Sequence, residues 1–196
     1  MDATRPSLLL RAQGGDQSAW QTLTTLYRPL IVGWLHYQSV PAHEIDDLVQ
    51  DILLAVVRSL PSFAHTGQRG AFRAWLRSIT RNRSSDFWNT RGRQALASGD
   101  SGVADTLRQL EDPGSELNRR WDEEHDRYVL RCLLDLMELE FEAGTVQAFR
   151  RVALEGAASA DVARELGLSV GAVYVAKSRI LHRLREVAEG LLDDLA

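Results

Sequence analysis

The chain has 196 residues, 44% hydrophobic and 26% charged, with a formal net charge of −4. This is enough apolar material for one good core or two small ones, and it excludes a disordered chain. One cysteine, Cys132, excludes an internal disulfide and a cysteine-built zinc site, and it is expected in a core.

From the N-terminus, residues 1–10 carry only three consecutive leucines, too short a run for a signal peptide, and no later run reaches membrane-spanning length. The expected location is the cytoplasm, without membrane insertion. No useful stretch alternates with period two, whereas several repeat at three and four, so the fold is expected to be all-α. Residues 17–37 read as a helix, or a pair of helices interrupted near Pro29, because proline removes a donor from the ladder. The clearest helix spans residues 43–60, with Ile45, Leu48, Val49, Ile52, Leu53, Val56, Val57 and Leu60 as one apolar stripe ended by Pro61. After a loop at 62–70, a second strong helix begins near Ala71 and runs to about Arg91.

Residues 94–116 turn to Gly, Ser, Asp and Ala with Pro113 and Gly114, a composition expected of a flexible linker. Helices follow at about 117–142, 145–154, 160–166 and 170–192. The last pair, split by Gly167, Leu168 and Ser169, has the form of a helix-turn-helix. The expected architecture is therefore two small helical domains, 1–93 and 117–196, joined by the 94–116 linker.

Three surfaces stand out. Opposite the stripe of the 43–60 helix lie Asp47, Gln50, Asp51, Leu54 and Arg58, an acidic patch around one leucine that suggests a partner. A merely solvated helix face is the alternative. Between Arg69 and Arg93 there are seven arginines and one acid, a local charge of +6 that leaves −10 for the rest of the chain. Such a segment suits phosphate. Arg73, Arg77 and Arg81 recur every fourth residue and align along one helix side. Phe63, Phe72, Trp75, Phe87 and Trp88 lie among or near them, as rings for unstacked bases or as core side chains. In the helix-turn-helix, Gly167 suits the turn and Ser169 the cap of the second helix. Val170, Val173, Ile180, Leu181 and Leu184 are expected to face inward, leaving Gly171, Tyr174, Val175, Ser178, Arg179 and His182 toward a major groove. An ordinary helical hairpin is the alternative.

These elements, in this order, resemble the sigma-70 family, and the overall brevity resembles its extracytoplasmic-function (ECF) group, which keeps only regions 2 and 4. Residues 46–54, from Asp46 through Asp47, Gln50 and Asp51 to Leu54, resemble region 2.2. That resemblance implies a grip on the β′ clamp helices of core RNA polymerase through Asp47, Gln50, Asp51, Leu54 and Arg58. Residues 70–83 resemble region 2.3, and the continuation through Asp86, Phe87 and Trp88 to Arg93 resembles region 2.4. This implies −10 promoter reading and strand opening by Arg73, Trp75, Arg77, Arg81, Asn82 and Trp88, with Phe63, His65 and Arg69 around a base flipped into the 62–70 loop.

The helix-turn-helix resembles region 4.2, which implies −35 recognition by Ser169, Gly171, Tyr174, Val175, Lys177, Ser178, Arg179 and His182, near the polymerase β flap. One departure is that Tyr174, Val175 and Ala176 stand where many relatives place basic residues. Another is that residues 156–159 lack the aromatic often found before the scaffold helix. The resemblance also implies an anti-sigma factor as a partner.

The expected function is therefore an ECF-type sigma factor that binds core RNA polymerase and promoter DNA and directs opening and initiation. No catalytic constellation, Walker-type loop or cofactor is expected, and the scattered histidines imply no metal site. The competing readings are a stand-alone helix-turn-helix regulator and a helical adaptor without DNA binding.

Overall fold

Hydroxyl and carboxylate caps start several of the helices in a computed structural model of the chain, which describes residues 7–64, 70–95, 102–112 and 114–192. Ser7 opens α1 (Leu8–Gln13), its Oγ accepting from the Leu10 amide. Asp16 opens α2 (Gln17–Tyr37) by accepting from the amides of Ser18 and Ala19. Its bond from Ser18, reinforced by Arg11 and the Ala19 amide, holds the carboxyl well below the usual carboxylate range. Satisfying these otherwise orphaned first-turn amides fixes where each helix begins. The triple leucine at the start is core-forming, since Leu8 and Leu9 are buried.

Pro29 does not break α2, which runs through it as one helix of 21 residues. The missing proline N–H costs one ladder bond, and burial of Leu26, Tyr27, Leu30 and Ile31 around it outweighs that loss. Next come α3 (Ala42–Ser59), a 3-10 turn (Leu60–Ser62) containing Pro61, and α4 (Ala71–Ala95). Val57 departs from the expected stripe: it is 43% exposed, whereas Ile45, Leu48, Val49, Ile52 and Val56 are buried.

Within the stretch read as a linker, residues Gly102–Glu111 form a helix, α5, and bury Val103 and Leu110. It packs against α4 and against α6 (Glu116–Glu140). Few apolar residues suffice here because both neighbours are already helical and supply the facing surface. The chain continues through α7 (Ala143–Phe149), a π-helical turn (Arg150–Leu154), α8 (Ser159–Leu166) and α9 (Val170–Ala188). Among the described residues there is no strand, and no helix is long and apolar enough to cross a membrane.

Among the described residues, two hydrophobic clusters organise the fold. The main one runs from α1–α4 through α5 and α6 into Ile180, Leu184, Val187 and Ala188 of α9. The smaller one, Ala148, Val162, Ala163, Val173 and Ala176, fastens α7, α8 and α9 to one another. Cys132 is half-buried against the main cluster and lines a groove between α2 and α6, rather than sitting inside the core as its residue type suggests.

Candidate polymerase and nucleic-acid interfaces

The outer face of α3 carries Asp47, Gln50, Asp51, Leu54 and Arg58, all exposed. Leu54 is 50% exposed, and with Val57 one turn on it makes a two-residue apolar spot in an acidic frame. Asp46, on the same helix, is engaged by Arg28 of α2 at 2.7 Å. At the inner edge of this face Asp47 and Asp51 line a cleft shared with Arg83, Asp86, Phe87 and Thr90 of α4. Arg91 of α4 binds Glu44 of α3 at 2.5 Å, and both line that cleft. The acidic face of α3 and the basic helix thereby border one cleft.

Gly70 precedes α4 with φ +72°, a left-handed conformation that a side chain strains. A Cβ there would also come within 2.9 Å of the Arg73 guanidinium. The aromatic residues around this entry form one cluster, with Phe63 to Trp75 at 5.0 Å, Phe63 to Phe72 at 5.7 Å and Phe72 to Tyr27 at 5.6 Å between ring centroids. Phe72 is buried within it, whereas Phe63 and Trp75 are half-buried and keep part of each ring toward solvent. Trp88 lies in the core at 7% exposure, packed edge-on against Phe87. The ring is not presented to a base, because the three-and-four spacing that places Trp88 near the arginines also turns it inward. His65 and Arg69 lie outside the described residues.

The arginine row of α4 is not open to solvent along its length. Arg73 donates to Asp126 at 2.6 Å and lies 3.4 Å from Asp122, while Arg77 donates to Asp122. Both acids stand on α6, four residues apart, matching the four-residue spacing of the arginines. This counter-charge went unread in the sequence, where its signal was the pair of acids at positions 122 and 126 in register with 73 and 77. Arg81, half-buried, makes no ion pair among the described residues, and Asn82 is exposed beside it.

Aromatic contacts behind these ion pairs fix α6 in place. Trp121 meets Trp34 of α2 edge to face at 5.3 Å, and His125 stacks on Tyr27 at 5.7 Å. His125 Nδ1 lies 2.8 Å from Asp126 and its Nε2 lies 3.3 Å from the Tyr27 hydroxyl. A neutral ring with the proton on Nδ1 satisfies both, donating to the carboxylate and accepting from the phenol. Burial pushes the His125 pKa down against the raising effect of Asp126, and burial pushes that of Tyr27 up.

In the C-terminal half, Gly167 takes the left-handed C-cap of α8 at φ 66°, and the Ser169 Oγ accepts from the Ala172 amide to start α9. These two residues set the turn of a helix-turn-helix. Val173, Ile180 and Leu184 face inward as expected and Leu181 is half-buried; Ala176 joins the buried side, whereas Val170 is 42% exposed. Gly171, Tyr174, Val175, Ser178, Arg179 and His182 are all exposed, and Lys177 is half-buried on the flank. The Arg179 guanidinium sits 5.7 Å from the Phe141 ring centroid, and Arg183 binds Glu140 at 2.6 Å, joining α9 to the end of α6.

An arginine-rich helix in the first half and a helix-turn-helix in the second give the chain the form of a helical nucleic-acid-binding protein. Residues 23–94 match the family model of sigma-70 region 2. The chain is similar to the ECF RNA polymerase sigma-E factor of Haemophilus influenzae, with 29% identity over 98% of this chain and 97% of the relative. It is similar to the ECF RNA polymerase sigma factor ShbA of Streptomyces griseus, with 28% identity over 93% of this chain and 94% of the relative. The ECF RNA polymerase sigma factor SigE of Mycolicibacterium smegmatis is 30% identical over 88% of this chain and 62% of that protein. The region 2 match and these likenesses along nearly the whole chain support a sigma-70 family factor of the extracytoplasmic-function group.

Proposed function

We propose that this chain directs promoter-specific transcription initiation as a sigma subunit through a division of labour among three surfaces. The α3 face around Leu54 docks on the β′ clamp helices of core RNA polymerase, with Asp47, Gln50, Asp51 and Arg58 as its polar rim. Exposed leucine within a charged ring is the pattern of an interface centre, where a few well-packed side chains carry most of the binding. The α4 surface, with Arg73, Arg77, Arg81 and Asn82 beside the half-exposed rings of Phe63 and Trp75, takes the −10 element. Arginines hold the backbone there, and stacking on rings offsets the cost of unpaired bases. Helix α9 enters the major groove at the −35 element, near the polymerase β flap.

The reading rests chiefly on the α3 face, because a DNA-binding regulator has no need of an exposed leucine in an acidic frame packed against its basic helix. No step requires bond-making chemistry by the chain, since binding energy alone drives opening. The experiment is comigration of the purified chain with sigma-free core polymerase on size exclusion, repeated with Asp51→Arg. Comigration that the substitution abolishes is the expected result. A wild-type chain that never comigrates with core polymerase from its own source overturns the proposal.

A further inference from the structure

The leading two turns of α9 are chemically unusual for a helix that reads base edges. Relative to the buried side Val173, Ala176, Ile180 and Leu184, the outermost positions are Gly171, Val175, Ser178 and His182. Tyr174 at 60% exposure and Val175 at 56% dominate the part that would enter a groove first. From Val170 to Ala176 no side chain can make a bidentate hydrogen bond to guanine or adenine, the pairing that most commonly gives direct readout. Gly171 carries no side chain and leaves the backbone free to come close to whatever Val175 touches.

Resting on the reading of α9 as the −35 helix, we infer that Val175, flanked by Tyr174, is a specificity-determining residue that reads thymine through its C5-methyl group. The thymine methyl is the one apolar feature a base pair offers in the major groove, and a branched aliphatic side chain on the groove axis is its complement. Cations border the apolar tip, with Lys177 and Arg179 in the turn that follows, which suits phosphates on either side of a groove better than the greasy centre of a protein interface. Arg179 therefore contributes affinity, and Val175 selects thymine over cytosine and adenine at the pair it covers.

The test uses holoenzyme reconstituted from the full chain and core polymerase. Duplexes retained from a random-sequence pool define the enriched upstream block, and each thymine in that block is then replaced by deoxyuridine, which removes only the methyl. The expected result is a loss of about 3- to 10-fold in retention at one or two positions, the scale of one buried methyl group. Val175→Ala should bind thymine and uracil duplexes equally, whereas Arg179→Ala should weaken both and keep their ratio. Retention unchanged by uracil throughout the block overturns the inference, as does an unaltered thymine-to-uracil ratio in Val175→Ala. Loss of core polymerase binding in Val175→Ala with that ratio unchanged would make the tip a protein contact and also overturn it. Failure to enrich any upstream block is a different result, because it removes the −35 reading itself.

Discussion

Arg73 of α4 donates to Asp126 of α6 at 2.6 Å, so a side chain suited to phosphate is held by a carboxylate of the same chain. Asp122 holds Arg77 in the same way. The side chains of both arginines are only 25% exposed, and DNA must displace the two acids to use them. Asp122→Asn combined with Asp126→Asn should raise the affinity of the free chain for a single-stranded oligonucleotide by about 3- to 10-fold at low salt, as two more cations become available. The gain should shrink at high salt. Fluorescence anisotropy at two salt concentrations reads both effects, and an affinity equal to wild type would mean that the arginines are not the DNA contact. Stability should change little, since partly exposed pairs contribute about 0.2–1 kcal/mol each.

The contact behind those pairs depends on pH through His125. Burial holds its pKa below the usual histidine value, with Arg73 lowering it further and Asp126 and Asp122 opposing. The unfolded chain therefore binds a proton more readily than the fold. Stability from the neutral ring is complete above the ordinary pKa of about 6.5 and is lost as pH falls from there through the folded value. Urea midpoints at pH 7.5 and 5.5 should drop more in wild type than in His125→Gln, which can still hydrogen-bond but does not titrate. Equal drops would remove His125 as the titrating group.

On α3, Leu54→Asp should weaken binding to core polymerase at least about tenfold, the loss expected of a central interface side chain. Leu54 is half exposed in the free chain, so thermal unfolding should shift by no more than about 2 °C. Surface plasmon resonance against immobilised core polymerase, with a melting curve in parallel, separates the two effects. Unchanged affinity would return the face to an ordinary solvated surface. Val57→Asp belongs in the same experiment, because Val57 is exposed beside Leu54 and should behave likewise.

The sequence made Leu54 legible and Val57 misleading for one reason. An apolar stripe is read by spacing, and Val57 satisfies the spacing of the stripe while its place at the margin of the buried face leaves it half in solvent. Most helix bounds were readable because caps such as Asp16 and Ser169, and the glycine at 167, act within a few residues of themselves. Spacing leaves open whether α2 passes Pro29 and does not show the 102–111 helix, because both are decided by neighbours distant in sequence: burial around Tyr27 and Ile31 carries α2 through the proline, and α4 with α6 supplies the face that α5 needs. The same holds at the candidate site. Spacing showed that Arg73 and Arg77 share a side, but which residues stand opposite depends on how α6 docks.

That docking makes Trp121 a joint between the halves of the chain. Its ring is 1% exposed and meets Trp34 at 5.3 Å, inside a cluster that extends from α1 to the end of α9. The two helical domains share apolar packing, since Ile180 and Leu184 of α9 belong to the same cluster as Ile31 and Ile52. Trp121→Ala should therefore cost about 3–5 kcal/mol, a large share of the stability of a domain this size. Hydrogen exchange should accelerate in α2 and in the second half of α9 together, while the small cluster around Val162 and Val173 keeps α8 folded. Exchange that rises in α6 and α9 but leaves α2 untouched would show that the N-terminal bundle is stable alone and that the shared core contributes nothing to it.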